Sequence, residues 1–133
     1  MPIDPEDLYA AAQNLNRMKP PLVSDEVCGR TMVNRMYYAA YLATREAVRR
    51  KLQDSSFDAS HTTVAETLAR AADREVRELG SRLVVLKALR EEADYKTQAV
   101  ITKSDAGLHL MNARFVLDNV DGLAGRFPRM RRR

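Results

Sequence analysis

SDEVCGRTMVNRMYYAAYLATREAVRRKL, residues 24–52, decides the fold. The stretch lacks proline, and its apolar residues recur every three or four positions. Val33, Tyr37, Ala40, Tyr41, Thr44, Val48 and Leu52 form one stripe, which Met32, Met36, Ala39, Ala43 and Ala47 widen into a second. So broad an apolar surface predicts a central helix with neighbours on two sides. Ser24 is placed to cap its start, with Asp25 and Glu26 near the positive end of the helix dipole and Arg49, Arg50 and Lys51 near the negative end. Gly29 costs about 1 kcal/mol relative to alanine in a helix and offers an alternative start.

Upstream, a first helix is expected from Asp4 or Pro5. Asp4 would cap it, Glu6 and Asp7 suit its dipole, and Leu8, Ala11, Ala12 and Leu15 face inward. Pro20 and Pro21 end it, because proline lacks the amide donor and drives its predecessor out of the α region. The short link to Ser24 makes the first two helices antiparallel neighbours. Downstream, QDSSFDAS reads as a loop with Asp58 or Ser60 as the next cap. A third helix follows from His61 to about Ala72, with Val64, Ala65, Leu68 and Ala72 inward. Asp73 would cap a fourth, running to about Tyr95 with Val76, Leu79, Leu83, Leu86, Leu89 and Ala93 inward. The apolar stripe also runs unbroken from Ala65 to Leu79, so the two could be one helix, and Gly80 is a second candidate hinge. Thr97 to Ile101 has β-like residues but no strand to pair with, so it reads as an extended loop. Ser104 would cap the last helix, with Leu108, Met111, Phe115 and Val116 facing the core and Gly122 near its end. The closing FPRMRRR is too short and charged to pack and reads as a mobile tail. The expected architecture is an all-α, up-and-down bundle of four or five helices over residues 1–122, followed by a basic tail at 123–133.

At 133 residues, one domain can bury a core without a metal or a disulfide, and the single cysteine, Cys28, cannot form an internal bridge. No apolar run approaches the roughly 20 residues that span a bilayer, and the acidic MPIDPEDLY is unlike a signal peptide, so a cytoplasmic location is expected. Of 22 basic residues, Arg126, Arg129, Arg131, Arg132 and Arg133 lie in the tail, leaving 17 against 18 acidic ones in the body. The net charge of +4 is therefore local. Phosphate-binding glycine loops are absent, and two histidines with one cysteine make a zinc site improbable, so no cofactor or metal is expected.

Three motifs in order carry a family resemblance: NRMYYAAYLA in the central stretch, SHTTV at a helix start, and LREEADY closing the fourth helix. Over about residues 20–122 the chain resembles the HEPN domains (higher eukaryotes and prokaryotes nucleotide-binding domain), small helical bundles often encoded beside nucleotidyltransferases. The resemblance implies a homodimer in a toxin–antitoxin or phage-defence setting, with an operon partner protein such as a nucleotidyltransferase, or RNA, as its ligand. Many HEPN proteins are similar to metal-independent ribonucleases that pair an Arg-x4-6-His motif across the dimer. Arg35 matches the motif arginine, but Leu42 stands where such relatives carry histidine.

Residues seven apart on a helix, such as Arg35 and Leu42, share a face about 10.5 Å apart along the axis. The resemblance implies that in active relatives an arginine and a histidine so placed converge on an RNA phosphate. The guanidinium would stabilise charge and the imidazole would move protons. Leucine does neither, so the resemblance implies a non-catalytic or degenerate module binding a partner protein, nucleotide or RNA. The alternative is a ribonuclease remodelled around Arg35, Tyr38 and His61. Arg35 also fits a plain ion pair with Asp94 or Glu92. His61, in a first helical turn where the dipole disfavours its charge, fits backbone capping as well as proton transfer. Tyr37 and Tyr41 lie on the apolar stripe and read as core, whereas Tyr38 shares a polar stripe with Arg30, Asn34 and Arg45 and is the tyrosine best placed to meet a base. His109 reads as peripheral. Asp94 and Tyr95 read as structural partners across the bundle, and the tail arginines as a salt-sensitive nucleic-acid contact or a solubilising segment.

Overall fold

The computed structural model describes residues 3–17, 24–53, 61–95 and 101–129. Helices α1 (Pro5–Arg17), α2 (Asp25–Leu52), α3 (His61–Ala69), α4 (Arg74–Tyr95), the single turn α5 (Lys103–Gly107) and α6 (Leu110–Leu123) make an all-helical bundle, with no strand among the described residues. Three helix starts follow from short polar side chains. Asp4 Oδ1 accepts from Glu6 N at 2.9 Å, Ser24 Oγ from Val27 N at 3.2 Å, and Asp73 Oδ1 from the Glu75 and Val76 amides. Each cap satisfies donors that the first helical turn leaves unpaired.

Helix α2 is the axis of the core. Met32, Val33, Met36, Tyr37, Ala39, Ala40, Ala47 and Val48 are all essentially inaccessible, and Thr44, buried among them, donates to the Ala40 carbonyl at 2.8 Å. The helix runs on from Asp25 through Gly29, which is a packing position and not a start. A Cβ at Gly29 would stand 2.6 Å from the Thr102 carbonyl, so the missing side chain admits the segment leading into α5. Gln53 closes α2 with a left-handed backbone (φ 54°), returning its amide to the Arg49 and Arg50 carbonyls. Helix α4 runs antiparallel to α2, since Arg30 near the start of α2 donates to the Ala93 carbonyl near the end of α4. Helix α6 runs antiparallel to α4: Arg82 lies over the Phe115 ring at 4.1 Å, and Arg126 reaches back to Asp73 and Glu75.

Helices α3 and α4 are separate, with Asp73 capping the fourth as expected. Several other expectations are corrected. The third helix stops at Ala69, Ala71 is buried where Ala72 was expected, and Gly80 lies unbroken within α4. Gly80 has no Cβ because the α3 backbone occupies that space, with Ala69 Cα 2.7 Å from where one would be. Thr102, not Ser104, caps the next element. Its hydroxyl accepts from Asp105 N and Asp105 Oδ2 accepts from Thr102 N, a reciprocal box that forms α5, so the last long helix begins only at Leu110. That extra turn shifts the register. Leu108 and Met111, expected in the core, are 76% and 75% exposed, while Ala113, Val116 and Val120 are buried. In α1 Ala12 is buried as expected, and Tyr9 is buried too, whereas Leu8, Ala11 and Leu15 are only half-buried. The tail is also shorter than expected. Ala124–Arg126 form a 3-10 turn, Phe127 is 3% exposed, and Lys51 donates to the Phe127 carbonyl. One aromatic ring outweighs the charge around it when it reaches the core. The expected caps Asp58 and Ser60, Pro20 and Pro21, the loop 97–100 and the end of the tail at 130–133 lie outside the described residues.

Helix α1 is tied to α6 through one arginine. Arg114 grips both Glu6 oxygens at 2.9 and 2.7 Å, pairs with Asp118 at 2.9 Å, and lies over the Tyr9 ring at 4.8 Å. The hydrogen bond from Arg114 holds the Glu6 carboxyl below its ordinary value near 4.5. A depressed folded pKa contributes stability that is complete above the unfolded value and is lost as pH falls through the folded one. For a largely exposed pair this is about 0.5–1 kcal/mol. Glu6→Gln is therefore expected to lower the urea midpoint at neutral pH and to converge with wild type under acid conditions. A gap that persists at low pH would show that the pair contributes no such linkage.

Candidate functional site

The α2–α4 seam gathers more of the sequence candidates than any other place. Arg30 is half-buried, held by Glu26 one turn before it at 3.0 Å and by the Ala93 carbonyl. At a helix C-terminus a cation meets unpaired carbonyls, so this arginine closes α4 as well as lining the seam. Tyr38 is half-buried, its ring edge-on to Tyr37 at 5.3 Å and 69°. Tyr37 stacks on Tyr41 at 6.0 Å. Burial pushes the Tyr37 phenol far above its ordinary value against the opposing field of Arg90, so it stays protonated and serves as core.

Arg90 is the residue that sequence reasoning missed. Its guanidinium lies 5.0 Å from the Tyr37 ring centre, 5.8 Å from Tyr38 and 5.9 Å from Tyr95, and pairs with Asp94 at 3.1 Å. Its Nε is buried without an acceptor. The signal was present in LREEADY, where Arg90 and Asp94 stand at i, i+4 with Tyr95 beside them, facing the tyrosines of α2. Asp94 is thus paired along its own helix and not across the bundle, and Tyr95 is 71% exposed with its ring beside Arg90. Arg90→Met, which keeps the aliphatic stem, is expected to cost about 1–2 kcal/mol by denaturant unfolding. No change would mean that the aromatic contacts carry no energy.

Arg35 projects from α2 into solvent, bonded at 3.2 Å to its neighbour Asn34. The ion pair expected with Asp94 or Glu92 does not form, because Asp94 is taken by Arg90 and Glu92 is exposed. Leu42 is half-buried and packs against the edge of the core. Arg45 lies 6.0 Å from the Tyr41 ring centre, with its Nε buried and lacking an acceptor. Arg49 pairs with Glu46 at 3.4 Å.

The remaining candidates lie elsewhere. His61 opens α3, but its side chain is outside what the structure describes, and His109 bonds Asn112 at 3.2 Å near the start of α6. Arg126 is held at the opposite end of α4 from Arg90 and the α2 tyrosines, about 25 Å away at 1.5 Å per residue. Arg129 is exposed, and Arg131, Arg132 and Arg133 lie outside the described residues. Arg126 therefore does not join Arg30 and Arg35 in one site, although Lys51 at the end of α2 reaches the adjoining Phe127 carbonyl. Among the described residues no group of three His, Cys, Asp or Glu could hold a metal, and no helix is long and apolar enough to cross a membrane.

Chemically, this seam offers cations, phenol edges and one leucine. Neither α2 nor α4 carries an imidazole. Comparisons with family models, with curated proteins and with solved structures find no match.

Proposed function

We propose that this chain is a non-catalytic, degenerate HEPN-like module. It binds a partner protein, nucleotide or RNA as a homodimer within a toxin–antitoxin or phage-defence system. The observation that carries the reading is the α2 face itself: Arg35 is exposed and Leu42 sits two turns along, half-buried against the core, where a proton-transferring imidazole would be needed. A guanidinium alone can hold an anion but cannot act as a base near neutral pH.

The reading is tested by incubating purified protein with mixed RNA in a chelator, beside Arg35→Ala and His61→Ala variants checked for folding. No cleavage above buffer is expected from any of them. Robust wild-type cleavage abolished by His61→Ala would instead establish the remodelled ribonuclease. The homodimer has its own test: sedimentation at micromolar concentration is expected to give twice the 15.1 kDa chain mass, and a monomer would remove that part of the proposal.

A further inference from the structure

Leu108 and Met111 are the two most exposed large apolar side chains among the described residues, at 76% and 75%. They stand one turn apart where α6 begins, on the side that adjoins α4. Arg82 fixes that junction. It lies over the Phe115 ring at 4.1 Å and donates to Asn112 Oδ1 at 3.3 Å, which sets the 82–85 turn of α4 beside the 111–115 turn of α6. Val85, 43% exposed, is one turn from Arg82, and Met111 is one turn from the half-buried Phe115. The result is an apolar patch that crosses two helices. The charges around it are already answered within the chain. Arg82 pairs with Glu78 at 3.1 Å, Arg114 holds both Asp118 and Glu6, and Asp105 is bound into the box that caps α5. His109 is bonded to Asn112, and the exposed Glu92 lies two turns beyond Val85, at the edge.

We infer that this α4–α6 face, centred on Met111, is where two copies of the chain meet. This rests on the homodimer reading above and names its surface. Charge selects the occupant. A two-fold axis sets a patch against itself, so an unbalanced charge at its centre would meet its like. Here the centre is leucine, methionine, valine and phenylalanine around a guanidinium that already has its carboxylate. Homodimer interfaces have that composition, apolar at the core and poor in unpaired charge, with methionine and arginine enriched. An RNA strand fits badly, because Arg82 and Arg114 are both engaged and leave the phosphates no open cationic track. The competing surface for a second copy is the outer row of α2, which the resemblance pairs across the dimer. Its apolar members, Tyr38 and Leu42, are half-buried, so covering them gains little, whereas Leu108 and Met111 keep about three-quarters of their surface in water.

The test compares the full-length wild type with Leu108→Glu/Met111→Glu and with Arg35→Glu/Arg45→Glu by sedimentation at micromolar concentration, helicity being confirmed by circular dichroism. All four positions are at least partly exposed, so the bundle should survive the changes. Wild type and the α2 variant are expected to be dimers, and the patch variant to associate about tenfold more weakly or not at all. A second measurement mixes unlabelled chain with chain carrying ¹³C-methyl methionine. The Met111 methyl is expected to contact the unlabelled copy, and the methyls of Met32 and Met36, which are buried within each copy, are not. The inference is overturned if the patch variant dimerises as tightly as wild type, or if the Met111 methyl makes no contact across the dimer. In either case a dimeric wild type leaves the homodimer reading standing on another face, and dissociation of the α2 variant alone would place it on the α2 row. A monomeric wild type would remove the homodimer reading itself, and the inference with it.

Discussion

Gly80→Ala is expected to lower the thermal midpoint by about 5–10 °C, although alanine is the better helix former by about 1 kcal/mol. The added Cβ would stand 2.7 Å from Ala69 Cα, with the Leu68 and Ala69 backbone nearer still. Backbone cannot move aside as a flexible side chain would, so α3 must separate from α4. Leu68, Leu79, Leu83 and Val76 would then lose packing in the part of the core where those two helices meet. Overpacking of this kind costs about 1–3 kcal/mol, and the upper end applies where backbone meets backbone. Gly122→Ala is the internal control, because nothing lies within 4 Å of its added Cβ, and there the change should be neutral or slightly stabilising. Equal midpoints for the two variants would mean that Gly80 is not a packing contact.

The same glycine shows what sequence could and could not say. The stripe from Ala65 to Leu79 is continuous whether or not the chain breaks, since helical periodicity survives a tight turn that restores the same face. Only the close approach of the two backbones explains why position 80 has no side chain, and no local pattern encodes it. Residues 24–52 were legible because propensity, capping residues, terminal charge and two apolar stripes all agree. Position 104 misled because Ser104 and Thr102 are both credible caps. The reciprocal bond with Asp105 decides for Thr102, and the one-turn helix it starts moves Leu108 and Met111 out of the core. Phe127 was misread by its neighbours: five arginines in eight residues outweighed one buried ring in a compositional reading.

At the candidate site, sequence placed Arg30, Asn34, Tyr38 and Arg45 on one side of α2, and they lie there. It could not place Arg90, whose role comes from antiparallel packing that brings the last turns of α4 against the tyrosines of α2. Pairings between helices are set by long-range register, which one chain does not display. Arg35 was assigned an ion partner across the bundle for the same reason, and Asp94 turned out to be held from one turn away.

The central claim is that the Arg35 face has lost its chemistry. General acid–base catalysis by a positioned imidazole contributes about 10²–10⁴-fold, so a face with leucine at position 42 should retain at most trace cleavage. The most direct measurement is the single-turnover rate of RNA cleavage by wild type set beside Leu42→His and a buffer blank, in chelator and with folding verified for both proteins. The expected result is a wild-type rate indistinguishable from buffer, with any cleavage confined to Leu42→His. Wild-type cleavage above buffer and as fast as that of Leu42→His would contradict the claim, because the chemistry would then come from groups other than position 42.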